Sequence, residues 1–164
     1  IGFGDSVVRG PTPIRFPTIL DFPPPELQGY SRESTIAEKL QIMVRLGEVN
    51  SRMKDFFDIW LLATQFYFEG AVLAQAIGET FRTRRTAIPH SPVAFSDALA
   101  QDPDRQVQWE AFLRRYRLQG SMSAPATLSG AVQVIARFLQ PLVQAVADER
   151  PFDRAWSPGG PWSS

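Results

Sequence analysis

Asn50–Leu62 reads NSRMKDFFDIWLL. Lys54, Asp55 and Asp58 stand at the mouth of a run that is otherwise almost wholly apolar: Phe56, Phe57, Ile59, Trp60, Leu61 and Leu62. Helical spacing places Lys54 and Asp58 on one face, four residues apart. An ion pair that only supports a helix prefers the acid before the base. Here the order is Lys then Asp, beside apolar side chains that make unpaired charge costly. The pair therefore belongs to a site or to an interior network. A helix apolar nearly all round beyond Asp58 is expected to be the central, buried one.

Working outward, helices flank this one on both sides. Ser31 is a good N-cap for a helix over about 32–46, with Ile36, Leu40, Met43 and Val44 on its apolar face and Gly47 as its stop. Asn50 is expected to cap the central helix, which runs to about Phe66. The short link predicts an antiparallel hairpin between the two. A third helix spans about 71–84, with Leu73, Ile77 and Phe81 inward. A short piece follows Ser96. Asp102-Pro103 opens a helix carrying Trp109, Phe112, Leu113 and Tyr116. The last helix begins near Thr127, with Leu128, Val132, Ile135, Leu139, Leu142 and Val146 as its stripe. Pro141 predicts a kink or two abutting helices there.

Before the helices, residues 1–28 are proline-dense, and Pro23-Pro24-Pro25 reads as an extended connector. Ile1 and Phe3, and later Ile14 and Phe16, alternate as strand residues do. The fold class is therefore mainly α, with a short β remnant at the N-terminus. Three segments are expected: a strand remnant and connector over 1–28, a helical lobe over 29–148, and a Pro/Gly/Ser-rich tail over 149–164, held down by Trp156 and Trp162.

Composition excludes several function classes. Seventeen basic residues balance seventeen acidic ones, so no global field steers the chain to nucleic acid or an anionic membrane. The absence of cysteine rules out a disulfide framework and a thiolate zinc site. No leader and no unbroken apolar run of membrane-spanning length appears. A cytoplasmic protein without a membrane span is the expectation.

Charged residues recur around the first two helices: Glu38 and Lys39, then Arg52, Lys54, Asp55 and Asp58. A hairpin brings Lys39 within reach of Lys54 and Asp58. Cations beside carboxylates suit a polyphosphate, because they neutralise phosphate oxygens while a carboxylate takes a proton. Spacing alone favours the other reading of the same residues, an ion-pair network that fixes the hairpin. Arg82, Arg84 and Arg85, and again Arg114, Arg115 and Arg117, form local basic patches of the kind that can hold nucleic-acid phosphates, or else are solvated helix ends, favourable beside the C-terminal dipole. His90, the single histidine, has no second ligand nearby in sequence, and no nucleophilic triad is argued. No metal site is assigned.

These residues carry a resemblance. Glu38-Lys39 on one helix, followed by Arg52-Met53-Lys54-Asp55-Phe56-Phe57-Asp58 on the next, resembles the late motifs of the AbiEii-type nucleotidyltransferases, the abortive-infection and toxin–antitoxin family. IGFGD at residues 1–5 and LDFPPP at 20–25 are similar to the linking segment of one branch. The likeness covers most of residues 1 to about 118. It implies a nucleotidyltransferase lobe followed by a helical lobe, and transfer of a nucleotide from a nucleoside triphosphate with magnesium held by carboxylates of the first lobe. It also implies a cognate antitoxin and an acceptor that is a tRNA or another macromolecule. Lys54, Asp55 and Asp58 would be catalytic, and Lys39, Arg52 and Glu38 nucleotide-binding. The family's early signature, a Gly-Ser or Gly-Gly turn before Asp-x-Asp, is absent. The chain is thus expected to be the helical portion, inactive alone, with no cofactor of its own and at most weak nucleotide binding, and prone to self-associate through exposed apolar surface. A non-enzymatic helical interaction module with a structural Lys/Asp network is the alternative.

Overall fold

The computed structural model describes residues 31–120 and 124–164. The strand remnant and proline connector expected over 1–28 lie outside the described residues. The rest is mainly α. Helix α1 (Arg32–Leu46) starts where Ser31 Oγ accepts from the Ser34 amide at 3.0 Å. It stops at Gly47, whose φ of 55° suits a residue without a Cβ. Helix α2 (Met53–Gln65) follows a single 3-10 turn. Helix α3 (Gly70–Thr83) buries Leu73, Ile77 and Phe81 as its spacing predicts.

Ser96 caps α4 (Asp97–Ala100), and Asp102 caps α5 (Pro103–Arg115), with proline at the first helical position. Thr127 caps α6 (Leu128–Ala147). α1 packs chiefly on α3, while α2 and α3 both pack on α6 and α5 covers part of α2. The core lies between these layers, with Phe56, Ile59, Leu62, Ile77, Ile135 and Leu139 fully buried.

Four details depart from the sequence reading. The principal partner of α1 is α3; its contact with α2 is narrower. Asn50 does not cap α2: its Oδ1 accepts from the Arg52 amide at 2.9 Å, a local turn ahead of the helix, and α2 begins without a side-chain cap. Pro141 does not divide α6, which is one helix of 20 residues. One missing backbone donor is tolerable in a helix packed on two others. α6 is also the one described helix long and apolar enough to cross a membrane by length and composition. Its buried face, including Ile135, Phe138 and Leu142, belongs to the core.

The fourth departure is a small sheet beyond the connector, where helices and a Pro/Gly/Ser-rich tail were expected. β1 (Phe68–Glu69), β2 (Ala155–Trp156) and β3 (Trp162–Ser163) pair antiparallel in that order, with Phe68 opposite Trp156 and Trp156 opposite Trp162. Trp156 is fully buried and its Nε1 donates to the Ala63 carbonyl at 2.7 Å. Trp162 Nε1 donates to the Phe138 carbonyl at 2.8 Å. Phe138 meets Phe68, Trp156 and Trp162 at centroid distances of 5.2, 4.8 and 5.8 Å. Each indole satisfies its N–H while burying its ring, so the tail is sewn to α2 and α6.

Candidate functional site

Lys39 stands in the middle of α1, and Lys54, Asp55 and Asp58 occupy the first turns of α2. Helix packing brings them together. Lys39 Nζ lies 3.0 Å from Asp55 Oδ1 and 2.8 Å from Asp58 Oδ2. Lys54 Nζ lies 3.2 Å from Asp58 Oδ1. Arg52, set by the Asn50 turn, donates from Nε to Asp55 Oδ2 at 2.7 Å. Two carboxylates thus hold three cations, and Asp58 is wholly buried beneath the two ammonium groups.

The electrostatics follow from burial and pairing. Burial pushes the Asp58 carboxyl above its ordinary value, and Lys39 and Lys54 pull part of that back. Burial pulls Lys39 down, but Asp58 and Asp55 together overcome it and hold the ammonium above its ordinary value. The hydrogen bond to Asp55, reinforced by that carboxylate's charge, holds the Arg52 guanidinium more firmly protonated.

Lys39, Arg52, Lys54 and Asp55 form one wall of a cleft of about 670 Å³. Asp58 is not part of the lining; it touches the cleft only through the lysines. The opposite wall is α5 and its C-cap, with Gln108, Phe112, Arg115 and Tyr116. Lys54 Nζ and Arg115 Cζ lie 5.8 and 5.9 Å from the centroid of the Tyr116 ring. Four cations therefore face a lining with one carboxylate, in a chain of zero formal charge. This local excess favours an anionic ligand.

Glu38 is not brought into the cleft lining. Its Oε1 faces Arg84 Nη2 at 3.9 Å, and Arg84 also donates to Gln41 Oε1 at 3.3 Å. His90 pairs with Asp148 at 2.6 Å, far along the chain from the cluster, and that hydrogen bond holds the Asp148 carboxyl below its ordinary value. The arginines at 82–85 and 114–117 do end α3 and α5. Arg115, from the basic run that ends α5, lines the cleft, and so do Gln108 and Tyr116, which carry no site expectation in the sequence. The signal was available: 108, 112, 115 and 116 share one helical face.

A divalent metal does not fit here. Among the described residues no cluster of three metal-ligating side chains occurs, and Asp55 and Asp58 are each engaged by two cations. A magnesium ion placed on them would be repelled by those cations.

No curated protein and no solved structure matches the chain. A family match does exist, and it spans both the Glu38-Lys39 pair and the Arg52–Asp58 run. With residues 1–149 matched, the chain belongs to the nucleotidyl transferase AbiEii toxin family of type IV toxin–antitoxin systems.

Proposed function

We propose that the α1–α2 cluster is the phosphate-holding wall of a nucleotidyltransferase that passes a nucleotide from a nucleoside triphosphate to an acceptor. The observation that carries this reading is the fully buried Asp58 carboxylate, which fixes two lysine ammonium groups at 2.8 and 3.2 Å on the wall of a cleft with excess positive charge. Preorganised cations of this kind stabilise phosphate oxygens without reorganising at the moment of reaction.

In this reading Lys54 and Lys39 meet triphosphate oxygens and Arg52 adds a third cation. Asp58 acts as a positioning residue, because it is sealed behind the lysines. Asp55, which accepts from Lys39 and Arg52 at 3.0 and 2.7 Å, aligns those two. Magnesium supplies charge neutralisation in such transfers. The carboxylates that hold it come from outside the described residues. We read the described residues as unable to transfer a nucleotide without them. A toxin family of this type implies an antitoxin as partner. An RNA acceptor and a cytoplasmic location complete the reading.

The test is equilibrium binding of sodium tripolyphosphate and ATP to the 164-residue chain at low ionic strength. Both bind, and both weaken as salt rises, because the attraction is between charges that salt screens. No binding of either at low salt contradicts the proposal.

A further inference from the structure

α5 presents one continuous face to the cleft: Gln108, Ala111, Phe112, Arg115 and Tyr116, at offsets of three, four, seven and eight from the first. This face contrasts with the wall opposite. It bears no carboxylate and only one cation, and its other groups are an amide and two aromatic rings. Phe112 and Tyr116 lie 4.9 Å apart between centroids, and Phe112 in turn packs on Phe57 and Trp109 at 5.4 Å each. The rings are therefore anchored to the core from behind, and Tyr116 carries the aromatic surface to the cleft's edge beside Arg115.

Gln108 differs from the other polar side chains of the site. Every cation and carboxylate of the α1–α2 wall has a partner, whereas Gln108 Oε1 is buried with no hydrogen-bond partner among the described residues. A buried polar atom left so is costly, and it points to a group that the protein alone does not supply. The terminal amide torsion of glutamine is broad, so either its N–H or its carbonyl turns to a ligand at little cost. An amide reads the edge of a nucleobase, while an aromatic ring and a guanidinium plane offer stacking surfaces.

We propose that the α5 face is a nucleobase-reading wall. Tyr116 and Arg115 stack the base, and Gln108 hydrogen-bonds its edge and determines which nucleoside triphosphate is preferred. This rests on the phosphate-holding role given above to the opposite wall. The cleft of about 670 Å³ falls within the size range of small-molecule sites, so one ligand spans both walls.

The experiment measures dissociation constants of ATP, GTP, CTP, UTP and sodium tripolyphosphate for the wild-type chain, Gln108→Leu and Tyr116→Leu, with denaturant midpoints confirming that each is folded. The wild type separates its best and worst nucleotide by about tenfold or more, the discrimination expected of a base-edge hydrogen bond. Gln108→Leu narrows that spread to within about threefold and leaves tripolyphosphate unchanged. Tyr116→Leu weakens all four nucleotides toward the tripolyphosphate value. Four nucleotides that bind alike in the wild type, or a spread that survives Gln108→Leu, overturns the proposal while leaving the phosphate-holding role intact. Tripolyphosphate that fails to bind the wild type overturns that role first, and the base-reading wall with it.

Discussion

At the residue scale, the molecule's most consequential atom pair is the Asp58 carboxylate. It is wholly buried and shared between Lys39 and Lys54. Removing it leaves two largely buried ammonium groups without their common partner. Asp58→Ala is therefore expected to cost about 3–5 kcal/mol, read from the shift of the denaturant midpoint. Lys39 bridges both carboxylates, at 3.0 and 2.8 Å, and Lys54 pairs with Asp58 at 3.2 Å. Lys39→Met is thus the more destabilising of the two lysine changes. It also has a pH signature. An ammonium whose pKa is raised on folding contributes stability that is full below its unfolded value, about 10.5, and is lost as pH climbs through the folded one. The wild type should lose stability above that point more steeply than Lys39→Met; parallel curves in alkaline buffer would remove Lys39 from the account. Lys54 and Asp58 were legible in the sequence because a Lys-before-Asp pair at the edge of an apolar run is an unfavourable arrangement without a reason. Glu38 was less so, since neighbours in sequence on a helix point about 100° apart and only Lys39 turns to the cluster.

At the scale of elements, capping and periodicity made α1, α3, α5 and α6 readable nearly to the residue. Ser31, Asp102 and Thr127 each accept a backbone N–H at the start of their helices. The sheet was not readable. Two-residue strands carry no alternation, and β1 pairs with β2 from 86 or more residues away, so tertiary packing alone selects them. Gly70 marks the junction. Its N–H donates to the Arg154 carbonyl at 2.7 Å, and a Cβ there would lie 2.5 Å from the Phe152 ring and 2.7 Å from that same carbonyl. Two of the atoms in the way are backbone oxygens, Arg154 and Phe152, which cannot swing aside. Gly70→Ala is expected to cost about 1–3 kcal/mol by overpacking, and to loosen the C-terminal segment first. Limited proteolysis followed by mass measurement checks this. Tryptic cleavage after Arg154 should quicken in the variant, and unchanged cleavage would mean that the segment is held without the Gly70 contact.

At the scale of the whole molecule, a chain of zero formal charge gathers four cations around a single lining carboxylate in one cleft. Composition excluded a global field but is blind to such local excess, which arises only when α1, α2 and α5 meet. Helix assignment therefore came from the sequence, the α1–α2 half of the cleft came from motif spacing, and the α5 half needed the packing. The central claim is that Lys54 serves a ligand and Asp58 serves Lys54. Asp58 keeps Lys39 at 2.8 Å when Lys54 is replaced, so Lys54→Met does not strand a buried charge. A methionine also retains most of the apolar stem. The decisive measurement pairs two readings on Lys54→Met: its affinity for tripolyphosphate and its denaturant midpoint. A charge-assisted contact to phosphate is worth about 1.5–3 kcal/mol, so affinity should fall by about 10- to 100-fold while stability changes by less than about 1 kcal/mol. Undiminished affinity together with a loss of about 3–5 kcal/mol of stability would make the pair a purely structural bridge and contradict the account.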